Sequence, residues 1–205
     1  MAPHAREPRP IERMIFFTDA VVAIAMTLLI LPLLQAVTEA ARTGLDTIEF
    51  LYENDGQLGS FALSFFIILL FWGGHDRLLG RVQYQDGWIF WLNSLWMFSI
   101  VFLPVATAMV GAMETDPLQL GLYIGTMLFT SLIMGALVLV MLRKPQLVSQ
   151  AHPPRRGDLA PALANSILFA LALVLALAIP GVQFWGLLAL SLSAPLERLL
   201  RTRLT

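Results

Sequence analysis

An uninterrupted apolar stretch near the start of the chain constrains the fold more than any other feature. From Ala20 to Val37 no residue is charged. At a rise of about 1.5 Å per residue, a helix over this stretch, extended back to Met14, crosses a hydrocarbon core of about 30 Å. The whole chain agrees, since 58% of its residues are hydrophobic and only 13% are charged. The sequence therefore predicts an all-α integral membrane protein.

A basic start followed by an apolar run is also typical of a secretory signal peptide. The run is long for that purpose, contains Asp19 and Pro32, and is followed by no A-x-A cleavage site. We therefore interpret it as a retained membrane helix.

Five more apolar stretches give a predicted bundle of six transmembrane helices. The spans cover residues 13–37, 57–79, 88–111, 118–142, 159–179 and 182–197, with a Pro180-Gly181 turn between the last two. We expect a disordered cytoplasmic tail over residues 1–12, a single six-span transmembrane domain over 13–199 and a cytoplasmic tail over 200–205. The acidic stretch 38–56 has apolar residues at helical spacing, which predicts a short amphipathic helix on the membrane surface.

Positive charge is concentrated in the loops that alternate spans place on one side. These residues are Arg6, Arg9, Arg13, Arg77, Arg81, Arg143, Lys144, Arg155, Arg156, Arg198, Arg201 and Arg203. The loops of the other side contain Arg42 alone, among acidic residues. By the positive-inside rule, both termini are predicted to be cytoplasmic in a multi-pass protein of the cell membrane.

The common signatures of enzymes and of nucleic-acid binding are missing from the sequence. It has no G-x-x-x-x-G-K-[ST], G-x-S-x-G or H-E-x-x-H motif, and no basic run interleaved with aromatic residues. The chain has no cysteine, and its three histidines lie far apart, so neither thiolate nor histidine metal sites are expected. We expect a protein that is not an enzyme and has no resident cofactor and no nucleic-acid partner.

The first span has a bulky apolar face beside a face of small residues. The bulky seam, in alternate steps of four and three, consists of Phe17, Val21, Ile24, Leu28, Leu31 and Gln35, with Ala20, Ala23 and Thr27 beside it. Such a seam most often packs against another helix. Thr27 is able to offer its hydroxyl to a ligand or to bond the carbonyl of Ala23 in its own helix.

Asp19 needs a polar partner, because a carboxylate in lipid costs at least ~2.5–3.5 kcal/mol. Arg13 lies on a different face of the same helix, so we expect each of the two to bond to another helix. His75, Asp76 and Arg77 close the second span, and the simplest interpretation is a hydrated helix end with a snorkelling arginine. The alternative is that His75 bonds Asp19 or Arg13.

Three motifs resemble one membrane-protein family. The segment Arg13-x-x-x-Phe17-Thr18-Asp19 resembles the R-x-x-x-F-S-D opening of the endosomal/lysosomal potassium channels of the transmembrane protein 175 type, with Thr18 keeping the hydroxyl of the usual serine. The second span matches a W-x-x-H-H-R-L-like pattern at Trp72, His75, Arg77 and Leu78, with Asp76 in place of the second histidine. Asn93 and Phe102-Leu103-Pro104 resemble the third helix of that family. The likeness covers the first three spans, and the last three only by hydropathy.

The resemblance implies a homo-oligomeric potassium channel of the prokaryotic, single-repeat type, most simply a tetramer, with the first helix of each subunit lining the pore. It implies that Ile24 forms the tightest aliphatic ring, followed by Leu28 and Leu31, with Thr27 beside them. It also implies a structural role for Arg13, Phe17, Thr18, Asp19, His75 and Asn93. The sequence has no TVGYG-type carbonyl filter, so potassium selectivity would have to arise at the aliphatic rings.

Two other functions remain open on the sequence. One is a proton-coupled secondary transporter in which Asp19, His75 and Asp76 form a proton relay. The chain shows no inverted repeat and no paired broken helices, which are typical of such transporters. The other is a membrane scaffold or sensor that conducts nothing and uses the seam only for packing.

Overall fold

A helix break divides the first membrane span. In the computed structural model, which describes residues 9–179 and 192–204, α1 covers Glu12–Leu28 and α2 covers Leu31–Thr43. Pro32 has no N–H to donate to the carbonyl of Leu28, and its ring crowds that carbonyl. A tighter turn, in which the amide of Ile30 lies 3.4 Å from the carbonyl of Thr27, joins the two helices. The predicted span 13–37 is thus an interrupted span, Glu12–Thr43.

The remaining described elements are helices, with one short sheet. The α-helices are α3 (Thr47–Glu53), α4 (Asp55–Leu79), α5 (Gly87–Ala112), α6 (Pro117–Arg143), α7 (Ala160–Ala178) and α8 (Ser193–Leu204). Two short 3-10 helices cover Pro145–Leu147 and Arg156–Leu159. The short helix α3 falls within the stretch predicted to be amphipathic, and its apolar residues Ile48, Leu51 and Tyr52 are exposed.

Five spans within the described residues are long and apolar enough to cross a membrane: Glu12–Thr43, α4, α5, α6 and Arg156–Ala178. This confirms the first five predicted spans by length and composition. Most of the sixth predicted span, 182–197, and the Pro180-Gly181 turn lie outside the described residues. The described part of that region belongs to α8, which carries Arg198, Arg201 and Arg203 and continues through the predicted boundary at residue 199.

The helix α5 is the centre of the bundle, with α1, α4 and α6 packed around it, and α7 lies against the far side of α6. The core between them is filled by large side chains with no exposed surface, among them Trp96, Tyr123, Ile124 and Met127. In contrast, α1 touches its own subunit mainly through α5 and α4. The first span is accordingly the least buried of the five.

Backbone pairing joins three loops at one end of the bundle. The strand β1 (Arg9–Pro10) pairs antiparallel with β2 (Tyr84–Gln85), and Val82 forms a bridge to Val148. Ile11, directly after β1, is buried. Residues 9–12, which the sequence places in a disordered tail, are therefore part of the folded structure. We call this end, which collects the loops after α4 and α6, the arginine-rich end.

Aspartates start three of the helices. Asp46, Asp86 and Asp116 each accept hydrogen bonds from two backbone amides in the first turn of α3, α5 and α6. Asp86 also forms an ion pair with Lys144, which follows α6. Partial burial of Asp86 opposes its ionisation, but the hydrogen bond from Lys144 and those from the amides of Ile89 and Trp88 outweigh it and hold the pKa below the usual 3.8. Asp86 thereby ties the start of α5 to the end of α6.

We expect Asp86→Ala to lower the free energy of unfolding by about 1–2 kcal/mol, because it removes both the cap and the ion pair. Asp86→Asn keeps a capping oxygen and should lose less. Because the pKa is depressed in the folded state, the ionic contribution is complete above the unfolded pKa and disappears as pH falls through the folded pKa. Thermal unfolding in detergent should therefore show the wild type and Asp86→Asn converging below about pH 4. A difference that is unchanged at pH 3 would contradict the ionic contribution.

Candidate functional site

The large aliphatic residues predicted to line a pore lie on the open side of the first span. Ile24 is 58% exposed, Leu28 40% and Leu31 47%. The opposite side of α1 is buried against α5 and α4, through Met14, Thr18, Val22 and Ala25. An apolar face of this kind is covered in a membrane either by lipid or by another subunit. The assignment of these side chains to rings around an axis stays a prediction.

The break between α1 and α2 falls inside the predicted pore seam. Ile24 and Leu28 lie on α1 before the break, and Leu31 begins α2 after it. Thr27 is exposed, and its hydroxyl donates to the carbonyl of Ile24 at 2.8 Å rather than to that of Ala23. Because the hydroxyl proton is used within the helix, the oxygen lone pairs of Thr27 remain able to accept a donor or to face a cation.

A buried hydrogen-bonded cluster joins α1, α4 and α5. His75 Nε2 lies 2.7 Å from Asn93 Oδ1, and Asn93 Nδ2 donates to Thr18 Oγ1 at 2.9 Å. The exposed fractions of the three side chains are 2%, 0% and 1%. Since a carboxamide oxygen only accepts, the proton of the neutral imidazole is on Nε2. We call Thr18, His75 and Asn93 the polar cluster.

Two aromatic side chains complete this region. The ring of His75 stacks on that of Trp96, with centroids 3.8 Å apart and planes 17° apart. Next to the polar cluster, Trp72 Nε1 donates to Asp19 Oδ1 at 2.8 Å. The partner of Asp19 therefore comes from another helix, α4, as the cost of an isolated carboxylate in lipid requires. The partner is Trp72 and not His75.

The remaining ionisable residues of the motifs are not brought into the cluster. Among the described residues, the exposed side chains of Arg13 and Asp76 form no hydrogen bond or ion pair. Arg77 Nε donates to the carbonyl of Gly73 in its own helix at 2.7 Å. Within the described part of this subunit, the expected bond from Arg13 to another helix is not formed, and a bond to a helix of another subunit stays a prediction. Phe17, 62% exposed, lies on the open side of α1 with Ile24.

Sequence reasoning missed a second set of buried polar contacts deeper in the bundle. Tyr123 OH lies 2.8 Å from Ser64 Oγ, which in turn lies 2.7 Å from Thr107 Oγ1. Between α5 and α6, Thr130 Oγ1 donates to Ser99 Oγ at 2.9 Å. The sequence signal for these contacts was a serine, threonine or tyrosine inside an otherwise apolar span, because such hydroxyls form hydrogen bonds to neighbouring helices. Sequence spacing does not identify the partner, which depends on how the helices pack.

We expect Asn93→Leu to destabilise the protein by about 2–3 kcal/mol, because it removes the acceptor of His75 and the donor to Thr18 inside the bundle. The unfolding midpoint in detergent measures this. Ser94→Ala is a suitable control, since the hydroxyl of Ser94 bonds only the carbonyl of Phe90 in its own helix. Equal midpoints for Asn93→Leu and the wild type would show that the polar cluster does not hold α1 in place.

Asp19 gives a second test of the same region. Asp19→Asn keeps an oxygen that accepts from Trp72, whereas Asp19→Ala leaves the indole N–H without that acceptor. We expect Asp19→Ala to lose subunit assembly and Asp19→Asn to retain most of it, as measured by native mass spectrometry. Intact assemblies of Asp19→Ala would mean that this hydrogen bond is dispensable for the position of α1.

Comparison with known proteins identifies relatives of this arrangement. Residues 13–104 match the family model of the endosomal/lysosomal potassium channel TMEM175. Two curated proteins, each named endosomal/lysosomal proton channel TMEM175, are similar over part of their length. The protein from Danio rerio is 23% identical over 137 residues and that from Homo sapiens 27% over 138 residues. Each alignment covers 67% of this chain, but only 26% and 27% of the relatives.

The fold also has a counterpart among solved structures. A crystal structure described as a lysosomal potassium-selective channel TMEM175 homolog from Chamaesiphon minutus superposes with a TM-score of 0.58 and 20% sequence identity. The match covers 94% of this chain and 95% of that one. The family model covers the helices that carry Thr18, His75 and Asn93, and the fold extends the likeness to the later helices. This chain is therefore similar to the TMEM175 family over residues 13–104 and shares the fold of the solved homolog.

Proposed function

We propose that the chain assembles into a homo-oligomeric channel that passes potassium passively across the cell membrane, with the first span of each subunit lining the path. The observation that carries the proposal is the open aliphatic face of α1 and α2 on the least buried of the five spans. The solved homolog is described as a potassium-selective channel, which supports potassium as the permeant ion. By the family resemblance, we propose a tetramer.

The proposed gate is a ring formed by Ile24 of each subunit. A narrow aliphatic constriction excludes water and so blocks ions when it is tight. When it opens slightly, an ion must shed part of its hydration to pass, and potassium loses water at lower cost than sodium. Leu28 and Leu31 would extend the constriction, and the oxygen of Thr27 would face a partly dehydrated ion.

The polar cluster supports this arrangement by fixing the rotation of α1. Thr18 is held toward α5, and Asp19 is held toward α4 by Trp72. A rotation that turned Ile24 into the subunit would pull Thr18 away from Asn93 and leave buried polar groups unpaired, at about 1–3 kcal/mol for each group. The cluster therefore acts on permeation through the position of the helix and not by contact with the ion.

The distribution of charge supports an orientation. The arginine-rich end would be cytoplasmic, and the segment from α2 to the start of α4 would lie on the other side of the membrane. The acidic residues of that segment would raise the local concentration of cations at the outer mouth. They are Glu39, Asp46, Glu49, Glu53 and Asp55, all of them exposed.

Proton conduction is a second candidate, because both curated relatives are named proton channels. A coupled proton relay through Asp19, His75 and Asp76 fits the geometry less well. His75 is hydrogen-bonded to Asn93 and Asp19 to Trp72, whereas the exposed Asp76 forms no hydrogen bond to His75 or Asp19 among the described residues. Protons would more simply share the proposed path along α1.

Ion flux into liposomes separates these functions. We expect the purified protein to dissipate a potassium gradient without requiring a pH gradient, with less flux when sodium replaces potassium. Flux that is strictly coupled to protons would support a transporter, and flux of protons alone would support the proton channel. The absence of any flux from correctly assembled protein would favour a scaffold.

A substitution at the proposed ring tests the role of Ile24. We expect Ile24→Asn to raise the potassium flux, or to reduce the preference for potassium over sodium, by about tenfold, which corresponds to about 1.4 kcal/mol in the barrier. Leu132→Asn is the control, because Leu132 is 54% exposed and lies on α6. Unchanged flux and selectivity in well-assembled Ile24→Asn would remove Ile24 from the path.

A further inference from the structure

An amphiphilic cavity of about 350 Å³ lies between α4, α6, α7 and α8 and opens at the arginine-rich end. On α4 it is lined by Leu70, Gly74 and Arg77, with Arg81 just beyond the helix. Their spacing places them on one face of α4. Trp72 and His75, which contact α1 and α5, lie on a different face. The cavity is therefore separate from the region assigned to conduction.

The mouth of the cavity carries more positive than negative charge. Three arginines and two acids line it. Arg81 pairs with Asp158 at 3.0 Å, and Glu197 pairs with Arg201 at 2.8 Å. Arg77 forms no ion pair among the described residues, and only its Nε is bonded, to the carbonyl of Gly73. One positive charge at the mouth is thus left without a counter-charge from the lining, which favours an anionic ligand.

Two polar side chains that line the cavity have no hydrogen-bond partner within residues 9–179 and 192–204. Ser131 is 1% exposed, and its hydroxyl has no hydrogen-bond partner among the described residues. Buried hydroxyls in proteins are nearly always bonded, so this one indicates a missing partner. Asn165 also lines the cavity, and its side-chain amide is not hydrogen-bonded within the described part of the chain. These two groups are able to bond the ester oxygens of a lipid.

The apolar part of the cavity continues into the membrane. A second cavity of about 110 Å³ shares Leu70, Phe71 and Asn165 with the first and extends to Ile67 and Phe169. From Arg77 to Ile67 the groove follows α4 for ~15 Å, at about 1.5 Å per residue. Cationic groups at one end and an apolar groove at the other match the two parts of a membrane lipid.

We propose that this groove binds an anionic phospholipid, with its phosphate at Arg77 and Arg81 and one acyl chain along Leu70 and Phe71. Basic pockets between membrane helices on the arginine-rich side are suited to anionic headgroups. A free phosphate ion would use only the mouth and would leave the apolar groove empty. The lipid would join α4 to α6 and α7 and would not touch the open face of α1.

Native mass spectrometry of the assembled protein in detergent tests the charge requirement. Phosphatidylglycerol and phosphatidylcholine with the same acyl chains are titrated separately. We expect phosphatidylglycerol to bind more tightly, and Arg77→Gln to weaken its binding by about fivefold, the effect of roughly one lost charge contact. Arg143→Gln is the matched control, since Arg143 is an exposed arginine at the same end that does not line the cavity. Equal losses in both variants, or equal binding of the two lipids, would overturn the proposal.

A change that leaves the charges intact tests the cavity itself. A Cβ atom at Gly74 would meet only Met134 Cε, at 3.8 Å, so Gly74→Leu fills the groove without a clash at its Cβ atom. We expect this variant to lose phosphatidylglycerol binding severalfold, while Gly59→Leu, at the other end of α4 and open around its Cβ, retains it. Millimolar inorganic phosphate should not displace the lipid. Displacement by phosphate, together with full binding in Gly74→Leu, would show a site for free anions and overturn the lipid assignment. Gly74→Leu gives the answer even where Arg77→Gln does not fold.

Discussion

The hydrogen bonds among Thr18, His75 and Asn93 are the interaction on which the arrangement of the first three long helices depends. Each of these side chains is almost completely buried, in a part of the protein where no bulk water is available to replace a lost partner. A purely apolar helix interface in lipid tolerates rotation, because the lipid tails are as apolar as the side chains. A hydrogen bond that forms in only one orientation of the helix does not tolerate such rotation. The polar cluster therefore selects the face of α1 that packs inward and, by exclusion, the face that stays open.

The same contact indicates how residues outside the proposed pore would set the position of the helix that lines it. Thr18 and Asp19 are neighbours in sequence and bond to two different helices, α5 and α4. Phe17, directly before them, lies on the open side of α1 with Ile24. The bonds of Thr18 and Asp19 thus fix α1 on the side opposite its open face, near the start of the span. Pro32 interrupts the helix after Leu28, so the bonds of Thr18 and Asp19 fix the position of α2 less directly than that of α1.

Elsewhere in the bundle, several buried hydroxyls also form hydrogen bonds between helices. The contacts of Ser64 with Tyr123 and of Thr130 with Ser99 satisfy hydroxyls between α4, α5 and α6. The hydroxyl of Ser131, next to Thr130, has no partner among the described residues, and Ser131 lines the cavity whose mouth carries Arg77. An unsatisfied hydroxyl beside an uncompensated charge is costly in a membrane unless a ligand covers both. The lipid proposed for that cavity would resolve both deficits.

The sequence by itself determined the membrane character, the first five spans and the resemblance to one family, because these depend on the length and polarity of continuous segments and on short motifs. It also indicated that Asp19 needs a partner on another helix, since an isolated carboxylate in lipid is too costly. It did not indicate that Trp72 would be that partner, that Arg13 would be left outside the cluster, or that Ser64 would meet Tyr123. Those pairings join residues 53 to 59 positions apart, and helical periodicity contains no information on which faces of two helices meet. Only the packing of α1, α4, α5 and α6 decided them, because a buried polar atom bonds whichever group the folded bundle places within about 3 Å.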